Sequence, residues 1–303
     1  MRLIVPLVTV LVSLILLASA AAGRDIFVDN AAGDDRFSGE LPTTQTHGLG
    51  PLRTINRATM IAQQGDRIVL ANTGRPYREG VSLVGHRHSG FAADWFQIVG
   101  HGATLDGSAP VPADAWEHYQ GPVFRFEPAH VAYQQLFLAG RPLVPVVSDP
   151  AATRPAKLKP LEWTLHRAYV YFCVERTKLP QDYAISFASL QTGITLLHVE
   201  RVEIRDLVIQ GFQLDGINAF NSARDVALIG VTSRGNGRAG VTVDGACRVR
   251  LENCLIGDNN FAQILTFPWS ETYLHATEIV ANTAPAWVDQ GGKVFKDEMR
   301  SGK

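Results

Sequence analysis

The chain has 303 residues, 46% of them hydrophobic and 19% charged, with 28 Lys and Arg against 29 Asp and Glu. A formal charge of −1 excludes a strongly basic nucleic-acid binder, and the apolar content excludes a disordered acidic chain. Only six of the cations are Lys, and none lies between Lys178 and Lys293.

Residues 1–22 read as a secretory signal peptide. Arg2 is followed by an uncharged apolar run, and Ala18-Ser19-Ala20 supplies small residues for cleavage after Ala20 or Ala22. The rival is an uncleaved anchor, because the run approaches spanning length. The small-residue end and the lack of a basic cluster after it favour cleavage. The expectation is an exported protein, periplasmic or extracellular, that meets the membrane only through an uncleaved segment.

Residues 24–109 follow as an N-terminal cap and first coils. Asp25-Ile-Phe-Val-Asp-Asn predicts a strand running into turn residues, and the loop after it carries Asp34 and Asp35. With Asp29 these could form an oxygen-ligand set for Ca²⁺, or a solvated acidic turn. Thr54–Gln64 predicts a helix with Ile55, Ala58, Thr59 and Ala62 on one face and Thr54 as its cap. Gly65-Asp66 then turns the chain into strands at 67–71 and 77–83. His86 and His88, two apart, would share a face if they stood on a strand.

Residues 110–191 are richer in Pro and aromatics and break any long period. Leu136-Phe-Leu-Ala-Gly-Arg, Leu161-Glu-Trp-Thr-Leu and Ala168-Tyr-Val-Tyr-Phe-Cys-Val-Glu predict short strands of an inserted β subdomain.

From Val199 the sequence stacks on itself. The segments beginning Val202, Val226, Val249 and Thr272 align at offsets of 24, 23 and 23 residues. A second column aligns Gly193-Ile194, Gly216-Ile217, Gly240-Val241 and Gln263-Ile264. A period of that length made of short strands buries its inward side chains only if coil stacks on coil. Leucine-rich repeats share the period but not this pattern. The prediction is all-β: a right-handed parallel β-helix with an N-terminal capping helix and the inserted subdomain, its last coils at 192–290 and a tail at 291–303. No obvious cap for the final coil is visible in the tail.

The run VDNAAGDDRFSGE through GPLRTINRATMIAQQGDRIVLANTGRPYREGVSL resembles the start of secreted pectate lyase-like (pectin lyase fold) proteins. The coils with GINAFNS and GVTVDGA are similar to the generic repeat of that superfamily. The resemblance implies an extended polysaccharide or cell-envelope glycan as ligand, with lyase- or glycosidase-type chemistry. The alternative from another class is a non-catalytic envelope or adhesion scaffold.

Residues able to carry such chemistry are few. A lyase base from Lys is absent from the late coils, leaving Arg224, Arg234 and Arg238 near the turns. A glycosidase needs two carboxylates on one groove, and Asp215 and Asp244 stand one coil apart. The catalytic candidates are therefore Asp215, Arg238 and Asp244. Asp-Gly-Ile at 215–217 resembles one polygalacturonase motif, but the other motifs of that family are missing, and Asp before Gly also serves plain turn duty. Asn236 and Asn253 suit turn ladders. His198 and Tyr183 are weaker candidates. Cys173, Cys247 and Cys254 read as buried thiols, with a Cys247–Cys254 bridge left open.

Overall fold

A computed structural model describes residues 23–46 and 48–297. The segment read as a signal peptide lies outside the described residues, as does the end of the tail.

Two parallel sheets carry the fold. The larger runs through strands Asp25–Val28, Arg67–Leu70, Phe96–Asp106, Glu200–Gln210, Arg224–Ile229, Arg248–Glu252, Glu271–His275 and Lys293–Lys296, with Thr232–Arg234, Leu255–Gly257 and Glu278–Val280 as a side column. The smaller contains Val81–Val84, Ile194–Leu197, Asp215–Phe220, Ala239–Val243, Ala262–Thr266 and Trp287–Asp289. Each strand hydrogen-bonds to its equivalent one coil away. The registers Val202↔Val226↔Val249↔Thr272 and Ile194↔Ile217↔Val241↔Ile264 reproduce the sequence repeat pair for pair.

Alternation decides what faces inward. On Glu200–Gln210, Val202, Ile204, Leu207 and Ile209 are buried, while Glu203 and Arg205 point out and pair with each other. The bend between the two halves of the large sheet recurs at one place in successive coils. Asp206, Gly230, Asn253 and Ala276 all take it in the left-handed region, with φ between 44° and 62°. Asn, Asp and Gly tolerate that conformation best, which accounts for Asn253. Asn253 is exposed at this corner and takes no part in a side-chain ladder. Asn236 does. Its amide donates to Ser233 and to Asn259 Oδ1, and the Asn259 amide donates in turn to Gln263.

The cap helix is shorter than the sequence predicts, spanning Ile55–Ile61. Thr54 Oγ1 accepts from the Arg57 amide at 3.0 Å, and the Glu79 carboxylate accepts from Ile55 and Asn56. Ala62 is already extended, and the Gln63 amide goes to Asp66 instead of continuing the helix. Ile55, Ala58 and Ala62 close the first coil by packing into the main core.

The insert forms two four-stranded antiparallel sheets. One orders Trp163–His166, Tyr169–Cys173, Val123–Phe126 and Glu117–Gln120; the other orders Ser108–Pro110, Ile185–Ala188, Leu136–Leu138 and Arg141–Leu143. They share a core of Phe126, Leu136, Trp163, Val170, Phe172 and Ile185. Buried amides fasten this body to the solenoid: Gln213 Nε2 donates to the carbonyls of His130 and Ala188, and Gln134 Nε2 also donates to Ala188.

All three thiols are buried and unbridged. Cys247 Sγ accepts from the Ala223 amide, whereas Cys254 Sγ donates to the Leu228 carbonyl. Burial pushes both thiols up to about 11. Among the described residues no helix is long and apolar enough to cross a membrane.

Candidate functional site

The insert and the solenoid enclose a cleft of about 400 Å³. Its floor is a column of side chains from three successive coils, brought into line by strand pairing: Asp106↔Gln210 and Gln210↔Arg234. Arg234 Nε donates to Gln210 Oε1 at 3.1 Å, and Gln210 Nε2 approaches Asp106 Oδ2 at 3.4 Å. Asp106 Oδ1 also accepts from the Ser108 amide at 2.8 Å, and Arg78 lies 4.0 Å from Oδ2. The column therefore runs from an acceptor, through an amide that gives and takes, to a donor. A Cβ at Gly211 would come 2.7 Å from Asp106 Oδ1, so glycine keeps this carboxylate in place.

The roof is the hairpin joining Leu136–Leu138 to Arg141–Leu143. Ala139 and Gly140 both have positive φ, the two-residue turn whose twist matches its strands. This hairpin presents Phe137, Arg141 and Pro142 to the cleft, and Asp258 with Thr283 closes the far end. Asn282 Nδ2 donates to Asp258 Oδ1 at 2.6 Å. Among the described residues neither Arg141 nor Arg234 has a carboxylate within ion-pair distance.

The residues singled out from sequence lie elsewhere. Asp215 and Arg238 do meet: Arg238 Nε donates to Oδ1 at 2.9 Å and its terminal nitrogen to Oδ2 at 2.5 Å, with Thr242 Oγ1 adding 2.8 Å. Asp215 is 0% exposed and the Arg238 side chain 22%. Burial pushes the Asp215 carboxyl up, against the pull of Arg238 and Thr242. The same contact raises Arg238, with smaller contributions from Tyr133 and Asp244. Asp244 is half-buried at the next coil and acts on Arg238 only through charge. A carboxylate that is sealed from solvent and held by two nitrogens and a hydroxyl is placed for structure.

Asp29, Asp34 and Asp35 do not converge. Asp29 Oδ1 accepts from the Ala31 and Ala32 amides, Asp34 is paired with Arg36, and Asp35 takes Thr54 Oγ1 and the Arg53 and Thr54 amides. Among the described residues no three His, Cys, Asp or Glu come together as a metal site. His86 and His88 do not share a face, because the strand ends at Val84 and both sit in the following turn. His86 is exposed. His88 is buried, accepting the Val84 amide at Nδ1 and meeting the Thr59 carbonyl through Nε2. His198 bonds Ser222 and Asn221, Tyr183 bonds Glu175, and Arg224 is exposed.

The sequence missed Asp106, Gln210, Arg141 and Asp258. Extending the repeat alignment back across the insert, with Phe96-Gln-Ile over Val202-Glu-Ile, sets Asp106 over Phe212, because the pairing slips by two residues between Arg205 and Leu207 before Asp106 meets Gln210.

No family profile and no curated protein matches the chain. Solved structures do. The complex of XylC with xylose is 13% identical with a TM-score of 0.53, the match covering 90% of this chain and 63% of that one. A glycoside hydrolase is 9% identical with a TM-score of 0.40 over 91% of this chain and 96% of its own. The GH136 lacto-N-biosidase from Eubacterium ramulus is 11% identical with a TM-score of 0.34 over 84% of this chain and 45% of its own. The chain thus spans just under two thirds of XylC, and its likeness to XylC is one of fold: a mostly β chain built on parallel sheets.

Proposed function

We propose that the protein binds a glycan in the cleft between the insert and the solenoid. The observation that carries this reading is the Asp106–Gln210–Arg234 column beneath an apolar and cationic roof. Neighbouring hydroxyls of a sugar need acceptors and donors side by side, and the ring's C–H face needs an apolar surface. The column supplies the first, and Phe137 with Pro142 supplies the second. XylC, whose fold this chain resembles, was solved with xylose bound.

Binding is favoured over cleavage. The cleft's two carboxylates, Asp106 and Asp258, stand three strand spacings apart, ~14 Å of backbone, and Asp106 is already engaged by the Ser108 amide, Gln210 and Arg78. Asp215 is sealed in its pair with Arg238.

We take residues 1–22 as a signal peptide that exports the chain to the periplasm or the extracellular space. The intact mass of the secreted protein should then place its first residue at Ala21 or Gly23. The winding we take as right-handed, the hand favoured when parallel strands of one sheet are joined by crossovers.

The test is calorimetric titration with neutral and acidic oligosaccharides, xylo- and galacturono-oligosaccharides among them. Arg234→Ala and Asp106→Asn should each weaken binding about tenfold, a loss of ~1.4 kcal/mol, while Arg250→Ala on the outer face leaves it unchanged. An absence of binding, or binding indifferent to both cleft substitutions, would leave the scaffold reading. Release of reducing ends or unsaturated uronate would replace binding with catalysis.

A further inference from the structure

One corner of the solenoid departs from its repeat. After Ala219 and Val243 the chain turns through Asn221-Ser222 and Asp244-Gly245. After Ala262–Thr266 it turns instead through Phe267-Pro268-Trp269-Ser270. The Ser270 amide and Oγ both donate to the Phe267 carbonyl, at 3.2 and 2.7 Å. Pro268 presets the second position of this turn, and Trp269 takes the third with φ of +72°. Glycine or asparagine belongs there, because the left-handed backbone crowds a bulky side chain.

The strain is not offset by packing, since Trp269 is 85% exposed. Residues held in sparsely populated backbone regions cluster at ligand clamps and active sites. The surroundings say what would bind. Two residues on, Glu271 is fixed between Arg248 Nε at 3.0 Å and the Tyr273 hydroxyl at 2.7 Å, and the Tyr273 ring stacks on Phe295 at 4.9 Å and 12°. A flat exposed ring on the turn that leads into strand Glu271–His275 suits a ligand with an apolar face and a hydroxyl rim. A protein partner would have to desolvate the Glu271–Arg248 pair, which favours the sugar.

We propose that Trp269 is a stacking platform for a pyranose ring of a polysaccharide chain. This second contact lies at the opposite end of strand Ala262–Thr266 from Asp258 and the cleft. The inference rests on the glycan-binding reading and sharpens it: the ligand is a polymer long enough to engage a surface beyond the cleft.

The test pairs adsorption to insoluble xylan, cellulose and chitin particles with titration of a soluble oligosaccharide in the cleft. Trp269→Gly relieves the backbone, so its unfolding midpoint should be no lower than that of the parent. Adsorption to whichever polysaccharide the parent holds should fall about tenfold, with Trp269→Tyr retaining most of it and the titration unchanged. Unchanged adsorption of Trp269→Gly overturns the proposal. So does a lowered midpoint with loss of both readouts, which would make the ring a packing residue, or a parent that adsorbs to none of the three. Failure of the cleft reading shows separately, as absent titration with Trp269-dependent adsorption retained, and that result upholds the proposal.

Discussion

Asp215 and Arg238 show how a residue pair that looks catalytic in sequence can be structural in space. They are 23 residues apart, one coil, so stacking alone sets them side by side. A sealed carboxylate depends on its counter-ion. Arg238→Met should therefore destabilise the fold by ~3–5 kcal/mol in a denaturant titration, and pairing it with Asp215→Leu should recover most of that loss. Oligosaccharide binding in the cleft should survive in the folded fraction of both variants. The buried ladder offers a second measurement. Asn259 Oδ1 accepts from the Asn236 amide and side chain, so Asn259→Ala strands buried donors and should cost ~1–3 kcal/mol.

Among the elements, the cap helix has the most exposed dependence on conditions. Its docking uses His88, whose ring joins the Thr59 carbonyl of the helix to the Val84 amide and meets Phe96 edge-on at 5.3 Å. Burial lowers its proton affinity, the neighbouring Arg87 adds to this, and the Nδ1 that accepts the Val84 amide must stay unprotonated. The unfolded chain takes up the proton near pH 6.5 and the folded chain only lower. Stability is therefore full above about 6.5 and falls as the pH drops below it. Urea midpoints at pH 7.5 and 5.5 should show this loss in the parent and a smaller one in His88→Gln. How much of each element was legible followed from what sets it. The late coils were readable because one interior column repeats Val202, Val226 and Val249. The helix end was not, because it is decided by Asp66, which captures the Gln63 amide while held in place by Arg24 from 42 residues earlier.

For the whole molecule, the cleft was illegible for a related reason: its floor comes from coils on both sides of the insert and its roof from the insert itself. A repeat search begun after the insert finds Gln210 and Arg234 but not Asp106, and the Arg141 hairpin belongs to no repeat. The charge pattern has a global meaning as well. Lys is scarce, yet Lys293 and Lys296 flank the last described strand of the large sheet. Charged side chains on an edge strand discourage pairing with another chain. Lys293→Val with Lys296→Val should leave the fold intact and raise light scattering during incubation.

The insert also divides the chain in time. Beyond it, the contact between Gln210 and Arg234 closes 24 residues of chain, but the contact between Gln210 and Asp106 closes 104. The longer closure carries an extra entropic cost of about 1 kcal/mol before any side chain is buried. Loop closure therefore favours pairing among the late coils over pairing at the seam where Phe96–Asp106 meets Glu200–Gln210. The late coils can zip onto one another while the helix-capped first coils wait, and a folded insert shortens the wait by bringing its own two ends, Ser108 and Ala188, into register.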